Sequence, residues 1–484
     1  MKNKFLMFLC ILAAVGCTNT KPKQPSEKIS ALTGKEYIAQ YGKTLSLDES
    51  LKIAKERNLD LRVKALEREI ASLDKKIAFG NFLPSINVMG GYTQLNDGIN
   101  LDVDVSELSS SVNGILGGLS QKFPMLSGIS LPFTMNSRFV DKSFYTFGVS
   151  AQIPVFVPST WYLYAARQKG EKISELAENF ADKMLQLQVM GQYYYILALE
   201  SEKNSLENEL KSAKELEKKA KISVRVEAVL PWELEKAQAF VKAKEYALNE
   251  NERDLRTAKM NFLKTLNLNP MIYTDVILDD EIIFPEELPS MEECIYEAVA
   301  GNEVLQITET GKDISTDIKK IAITNFLPKI ILGGGYINNS SEILSDPDFL
   351  YGNVSGVISI FNGFKNINEY KKAVRKEKIA ELKLEKEFMT IIIETAKAYQ
   401  NVEKAQELRY ISGLNFKGEE GRLHQKQAER KVDMIDDEEY FAALSSYEKA
   451  LSMKKKADFQ YEMALGALKI AMGKNPFYNV TEEK

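Results

Sequence analysis

The spacing of apolar positions changes from helical to strand-like twice along this chain. Helical stretches run to about Gly80 and again to about Thr324. Pro84 and Pro328 then stop each helix, because proline lacks the backbone N–H that a helix interior needs. Beyond each proline, apolar residues alternate with polar ones, which predicts strands with one apolar and one polar face.

Four such strands are predicted, at about 84–95, 143–156, 328–338 and 351–361. The second has the clearest apolar face, formed by Tyr145, Phe147, Val149, Ala151, Ile153 and Val155. Each strand has about ten residues, the length of a tilted strand that spans a bilayer. The long connection 96–141, rich in Ser, Gly and Leu, is interpreted as a surface loop with some apolar surface of its own.

Long proline-free stretches follow each strand pair and predict two helical hairpins, at about 159–267 and 365–473. They are rich in residues that favour helices. Their apolar positions recur at threes and fours over far more than 25 residues, which indicates coiled-coil packing. We expect the first hairpin to turn at "SVRVEAVLP" and the second near "GLNFKGEEGRLHQKQAERKVD", where glycines cluster.

The same order of predicted elements occurs twice in the sequence. "NFLPSINVMGGY" begins at Asn81 and "NFLPKIILGGGY" at Asn325, 244 positions later, and this register extends back to capping boxes that start at Ser46 and Ser290. A repeat of this size indicates duplication of a large unit rather than a solenoid. The predicted organisation is signal peptide 1–16, tether 17–44, repeat one 45–270, linker 271–289, repeat two 290–476 and tail 477–484.

Charge and motifs exclude several kinds of function. The net charge of −5 and the lack of a basic stripe argue against nucleic acid as a partner. The chain has no HExxH, CxxC or GxSxG, and "GKT" at 42–44 lacks the first glycine of a phosphate-binding loop, since Tyr37 stands there. His424, the one histidine, is interpreted as a solvated surface residue. We therefore expect no enzyme activity, no cofactor and no metal.

The N-terminus predicts export. Two early lysines precede an apolar run that is too short to span a bilayer stably, as in a signal peptide. Val15 and Gly16 before Cys17 resemble a bacterial lipobox, so Cys17 is the predicted lipidation site, with palmitate among the expected acyl groups. The alternative is plain secretion with an incidental cysteine. Cys294 is expected to be a buried apolar residue on a helix.

The order helix, strand, strand, long helical hairpin, repeated once, resembles the TolC-type outer-membrane efflux protein family. The resemblance covers about residues 45–476 and rests on the two "NFLP" strand entries, on "IPVF" and "ISIF" at strand exits and on "VDMID" at 432–436. It implies a mixed α/β membrane protein, in which a homotrimer builds one 12-stranded outer-membrane β-barrel continued by a periplasmic α-helical barrel. The implied partners are outer-membrane lipid, a periplasmic adaptor and an inner-membrane pump of the RND or ABC type.

The resemblance also assigns a gate. On composition alone, the acids that begin the last helix would simply suit its positive end and face water. "VDMID" is similar to the family motif whose aspartates ring the closed periplasmic end, which assigns Asp433 and Asp436 as the gate constriction. The family places an arginine and a tyrosine upstream as latches. The stretch "LHQKQAERK" stands there, with no residue assigned to either role.

Aromatic residues follow the second strand of each repeat, namely Trp161, Tyr162, Phe361 and Phe364. They suit either a membrane-interface girdle or a buried junction between strands and helices. Two other functions compete with a passive export duct. One is a lipid-anchored periplasmic coiled-coil or adaptor protein without a pore, and the other is a lipoprotein enzyme, for which the sequence offers no site.

Overall fold

The structure, a computed structural model, describes residues 44–122, 130, 132, 134–279, 288–340 and 348–477. The predicted signal peptide, Cys17 and nearly all of the predicted tail lie outside these residues. The elements of the first half are β1 Thr44–Leu45, α1 Leu47–Arg57, α2 Leu59–Gly80, β2 Ser85–Gln94, β3 Ile99–Asp104, α3 Ser106–Ser120, β4 Thr134–Val140, β5 Ser143–Phe156, α4 Pro158–Arg225 and α5 Pro231–Thr265. Those of the second half are the 3₁₀ segment Pro270–Asp275, β6 Ile277–Leu278, α6 Met291–Gly301, α7 Glu303–Thr324, β7 Lys329–Asn339, β8 Asp348–Val357, α8 Lys365–Lys431 and α9 Asp437–Ala471.

The predicted order of elements is confirmed, since each half contains helix, strand, strand and helical hairpin in turn. Both predicted capping boxes are present, at Ser46 with Glu49 and at Ser290 with Glu293. The chain forms two compact units: one comprises Met1–Glu69, Ile173–Glu309 and Leu382–Lys484, and the other Ile70–Lys172 and Thr310–Glu381. Each unit contains segments of both repeats, so the units do not coincide with the sequence repeats. Among the described residues, no helix has an apolar stretch that could cross a membrane.

The opening helical stretch of each half is two helices, where the sequence predicts one. The break falls at Asn58 and Asn302, which are equivalent positions with extended ψ values of 131° and 123°. Asn58 Oδ1 accepts the N–H of Leu61 (3.0 Å), and its amide donates to the carbonyl of Thr265 (2.8 Å). Asn302 likewise donates to the carbonyl of Ala471 (3.0 Å) and caps the helix that follows it. Each asparagine therefore begins a helix and ties it to the end of a hairpin.

The connection 96–141, predicted as a surface loop, contains regular structure. β3 and β4 pair antiparallel from Ile99 with Val140 to Asp104 with Thr134, and the 15-residue helix α3 lies between them in the chain. The Asp104 carboxylate accepts the N–H of Ser106 where this helix begins (2.9 Å). The prediction of a surface loop is therefore wrong for this segment, because cross-strand pairing and the capped helix order it despite its Ser- and Gly-rich composition.

The second hairpin turns later than predicted. Helix α8 continues through Gly413, Gly418, Gly421 and His424, and the turn occupies residues 432–436. The turn requires one residue of positive φ, and Asp433 provides it with φ 55°. The glycines have helical neighbours on both sides, so they extend the helix rather than end it. His424 is exposed on α8, as expected, but it does not lie at the tip.

The second unit contains a four-stranded antiparallel sheet in the order β2-β5-β7-β8. Its register aligns the apolar faces predicted from alternation: Val88 pairs with Val149, Val149 with Tyr336, and Leu332 with Val354. Strand β8 covers Asp348–Val357, so it begins and ends earlier than the predicted 351–361. Within the described chain, no other strand pairs with the outer edge of β2 or of β8.

The first unit contains the largest hydrophobic core. It forms around the fully buried Tyr193 and Phe262 and includes the short parallel pair β1–β6, which falls partly in the predicted linker. The Tyr193 hydroxyl lies 2.7 Å from the Asp279 carbonyl, to which it donates. Cys294 is buried on α6, as predicted, in a second cluster with Leu468.

Candidate functional site

The two hairpin tips have the same backbone geometry. In the first, the N–H of Glu227 donates to the Val224 carbonyl (3.1 Å), and in the second that of Asp433 donates to the Arg430 carbonyl (3.1 Å). Glu227 and Asp433 have φ values of 57° and 55°, the left-handed region that L-residues rarely occupy. Both turns end where the returning helix begins, after Leu230 and after Asp436. The tips are therefore equivalent in shape and differ in side chains.

Asp433, the first predicted gate residue, sits in the middle of the second turn with an exposed side chain. Its conformation is set by the turn, and aspartate is among the residues that tolerate positive φ. The next prediction, Asp436, is also exposed, but it has a structural role. It is the N-cap of α9, and its carboxylate accepts the N–H of Glu439 (3.0 Å).

Asp436 also forms an ion pair with Lys219, which projects from α4 in the other half of the sequence. Lys219 pairs with Glu438 as well, so one ammonium holds two carboxylates of α9. The hydrogen bond from Lys219, followed by that from the Glu439 N–H, lowers the pKa of Asp436 below its usual range. The same pairs raise the pKa of Lys219. This contact links the two hairpins within one chain, and no local motif in the sequence indicates it.

The stretch that the family pattern suggested for latch residues contains Arg430. Its guanidinium forms an ion pair with Asp437 (2.8 Å) and lies over the ring of Tyr440, 4.1 Å from the centroid. Tyr440 follows the turn in sequence. This arrangement holds the last turn of α8 against the first turn of α9.

The first tip contributes a carboxylate that the sequence reading missed. Glu227 occupies the place of Asp433, while Leu230 occupies that of Asp436. Exposed apolar residues surround both turns: Val226, Leu230, Trp232, Val432 and Met434. The signal that could have located Glu227 is the equal length of the two hairpins, which aligns "VEAVL" with "VDMID".

The predicted interface aromatics lie beyond the strands rather than within them. Trp161 is in the first turn of α4 and meets Phe156 edge to face, with centroids 5.6 Å apart. Phe361 and Phe364 lie between β8 and α8 and also meet edge to face, at 5.3 Å. Trp161, Phe361 and Phe364 are exposed in the single chain. Tyr162 is half-buried, with the Lys320 ammonium 5.5 Å from its ring centroid.

The apolar face of the sheet is the second candidate surface. Ile86, Val88, Tyr92 and Val354 are each about two-thirds or more exposed, although they lie on one continuous apolar face. The opposite face carries Asn87, Ser150, Gln152, Asn353 and Ser355, together with the apolar Met89, Ile337 and Phe349. An exposed apolar sheet face of this extent is unstable in water and suits lipid.

Comparison with solved structures identifies the fold. The Campylobacter jejuni CmeC outer membrane channel is 14% identical over 92% of this chain and 88% of that chain, with a TM-score of 0.68. A membrane protein from Pseudomonas aeruginosa is 15% identical over 89% and 90%, with a TM-score of 0.67. The open Neisseria gonorrhoeae MtrE outer membrane channel is 17% identical over 89% of each, with a TM-score of 0.61. No family model and no curated protein sequence matches this chain.

Proposed function

We propose that this chain, which has the fold of TolC-type outer-membrane efflux channels, forms a passive trimeric duct of a tripartite efflux or type I secretion system. The observation that carries the proposal is the four-stranded sheet, which is apolar on one face and has two outer edges that no other strand of the described chain pairs with. Open edges are not tolerated in lipid, and four strands cannot close on themselves. Three copies would supply twelve strands, enough for one closed barrel.

The alternative, a lipid-anchored periplasmic coiled-coil or adaptor protein without a pore, leaves that sheet unexplained. A water-soluble protein would expose Ile86, Val88 and Tyr92 to solvent at a cost of about 25 cal/mol per Å² of apolar area. In the proposed barrel these three side chains face outer-membrane lipid. Anchoring through an acylated Cys17 and a girdle formed by Trp161, Tyr162, Phe361 and Phe364 are parts of the same proposal.

The gate is proposed at the hairpin tips, where a periplasmic adaptor and an inner-membrane pump of the RND or ABC type would act. In a trimer, Asp433 and Asp436 would each form a ring of three carboxylates, and Glu227 would add a third ring. Such rings select cations. The exposed apolar residues of both turns, Val226 and Met434 among them, support docking of a partner there.

Conductance of the purified protein in a planar bilayer tests both parts. The duct predicts small, cation-selective steps from the wild type. The variant Asp433→Ala/Asp436→Ala should show larger steps with weaker selectivity, because it removes both carboxylates and the ion pair between Lys219 and Asp436. Unchanged steps would reject the gate and keep the duct. If folded wild-type protein gave no conductance steps, the duct would be rejected in favour of the alternative without a pore.

A further inference from the structure

Each half of the chain leaves a cavity beside the asparagine that breaks its opening helix. The first cavity, of about 690 Å³, lies between α2, α4 and α9, and Asn58 is among its lining residues. The second, of about 250 Å³, lies where α4, α7, α8 and α9 meet, and it includes Asn302. Asn58 and Asn302 are equivalent at an offset of 244 residues. The two cavities therefore occupy equivalent places in the duplicated fold.

We propose that the second cavity is a binding site for a small organic cation, a primary alkylammonium. The inference goes beyond the proposed function and does not depend on it, because every residue of the cavity belongs to one chain. Three features support it: a difference in charge between the two cavities, a buried hydroxyl without a partner, and an apolar wall.

The long helices that line the two cavities can be aligned residue by residue. The ion pairs Lys75–Glu171 and Lys319–Glu377 occupy equivalent places, at offsets of 244 residues for the lysine and 206 for the glutamate. An offset of 206 therefore relates α4 to α8. It aligns the lining residues of the first cavity with those of the second, in the order Ala181 with Glu387, Leu185 with Ile391, and Gln188 with Glu394.

The second cavity thus carries two carboxylates on its long helix where the first has uncharged side chains. Glu387 is half-buried and Glu394 is exposed, which places them at the mouth of the cavity. Neither carboxylate has an ion pair or a hydrogen bond within the described part of the chain. Lys183 of α4 is already engaged, by Glu303 and by the Gly473 carbonyl (2.6 Å). Two carboxylates that no cation of the chain neutralises favour a positively charged ligand.

Thr395 marks the inner end of the cavity, since it lines the cavity and is fully buried. A helical threonine often donates its hydroxyl to the carbonyl four residues earlier, as Thr390 does to Lys386 on the same helix (3.0 Å). The Thr395 hydroxyl has no hydrogen-bond partner among the described residues. The equivalent residue of the first half is the fully buried Val189, which has the same shape without a hydroxyl. Packing therefore does not require this hydroxyl, and the cost of burying it unpaired indicates a ligand as its partner.

The remaining lining residues define the kind of cation. No group of three or more His, Cys, Asp or Glu in the described part of the chain could hold a metal ion, so a divalent metal lacks the oxygen ligands that it needs. The volume of about 250 Å³ is below that of most drug-sized pockets, roughly 300–1,000 Å³. A short alkylammonium fits, because its three N–H groups can donate to the Glu387 carboxylate and the Thr395 oxygen. Its chain would pack against the apolar wall formed by Phe180, Ile391 and Ile470.

Thermal unfolding of the purified full-length protein in detergent, with n-butylammonium chloride added, tests the proposal. A ligand that binds only the folded state raises the Tm. We expect butylammonium to raise it by about 2 °C or more. NaCl at the same concentration and 1-butanol should leave the Tm nearly unchanged. The first control separates the organic cation from salt, and the second separates its charge from its apolar chain.

The duplication supplies matched variants, because each lining residue can be replaced by its equivalent from the first half. Glu387→Ala/Glu394→Gln should abolish the butylammonium shift, since this variant copies the uncharged helix of the first cavity. Thr395→Val should weaken binding at least tenfold in isothermal titration calorimetry, while the Tm without ligand stays constant or rises. Glu385→Gln, at an exposed position of the same helix, should keep the wild-type shift.

Three results would overturn the site: no shift in the wild type, an equal shift with NaCl, or an equal shift in the double glutamate variant. If that variant folds poorly, Thr395→Val decides alone, and wild-type affinity in it would reject the assignment. None of these measurements depends on conductance or on the number of chains, so the site and the proposed duct can fail separately.

Discussion

At the scale of single residues, Lys219 connects the hairpins by holding Asp436 and Glu438 together. A carboxyl whose pKa is lowered in the folded protein contributes above its ordinary pKa, and the contribution is lost as the pH falls through the lowered value. Closure of the tip should therefore weaken only in acid. This predicts larger conductance steps at low pH than at neutral pH.

Lys219→Gln should move that acid-induced change to higher pH, because the pKa of Asp436 would rise towards its ordinary range. Conductance recorded over a pH series measures the midpoint. The matched control is Lys218→Gln, since Lys218 pairs with Glu215 on its own helix (3.1 Å) rather than with the other hairpin. Equal midpoints in wild type and Lys219→Gln would show that this ion pair does not hold the tip.

Glu462 gives a second pH-dependent residue. Burial raises the pKa of its carboxyl to about 7, and its Oε1 has no hydrogen-bond partner among the described residues. Because the folded state binds this proton more tightly than the unfolded state, stability should fall as the pH rises from about 4.5 through 7. Glu462→Gln should raise the Tm at pH 8 and leave it nearly unchanged at pH 4.5. Exposed Glu385→Gln is the control, and an equal gain at both pH values would contradict the assignment.

Among the polar residues that join helices, Asn58 and Asn302 are predicted to cause the largest loss of stability when they are replaced. Asn58→Ala or Asn302→Ala removes a helix cap and the hydrogen bond to the carbonyl of Thr265 or Ala471, which should destabilise the protein by about 1–3 kcal/mol. Thermal unfolding of the purified protein measures the loss. Asn249→Ala, at an exposed position of α5, should change little. A similar small change at all three sites would mean that these caps are dispensable.

At the scale of elements, alternation and proline placement sufficed to predict four strands and two hairpins, because both signals are local. The break at Asn58 was missed because the carbonyl that it binds, on Thr265, lies 207 residues away in sequence. The pairing of β3 with β4 was missed for a similar reason, because each of these strands is stabilised by hydrogen bonds to the other, which lies about 35 residues away in sequence. Of the candidate site, the position of Asp433 followed from the motif, but Lys219 could be found only in three dimensions.

The prediction at this scale concerns helix α2, which carries an exposed apolar stripe formed by Leu59, Val63, Leu66, Ile70, Leu73 and Ile77. Leu66→Lys places a charge in this stripe and should shift the proposed assembly from trimer towards monomer while the helical content stays constant. Native mass measurement and circular dichroism in detergent give the two readouts. Glu69→Lys, an exposed position at the edge of the stripe, is the control. A trimer fraction equal to wild type in the Leu66 variant would remove α2 from the interface.

At the scale of the whole molecule, the duplication explains why one chain contains two copies of a unit that is incomplete alone. Each half supplies two strands of the four-stranded sheet and one hairpin, and each leaves an apolar sheet face and an edge that no other described strand pairs with. Six similar halves from three chains would make a continuous wall.

The number of chains around the proposed pore tests this central claim most directly. The purified protein, reconstituted into lipid nanodiscs, can be imaged by electron microscopy and classified by rotational symmetry. The trimeric duct predicts three chains around one axis, with twelve strands enclosing a single pore through the bilayer. Particles that contain one chain, or that show any other symmetry, would contradict it.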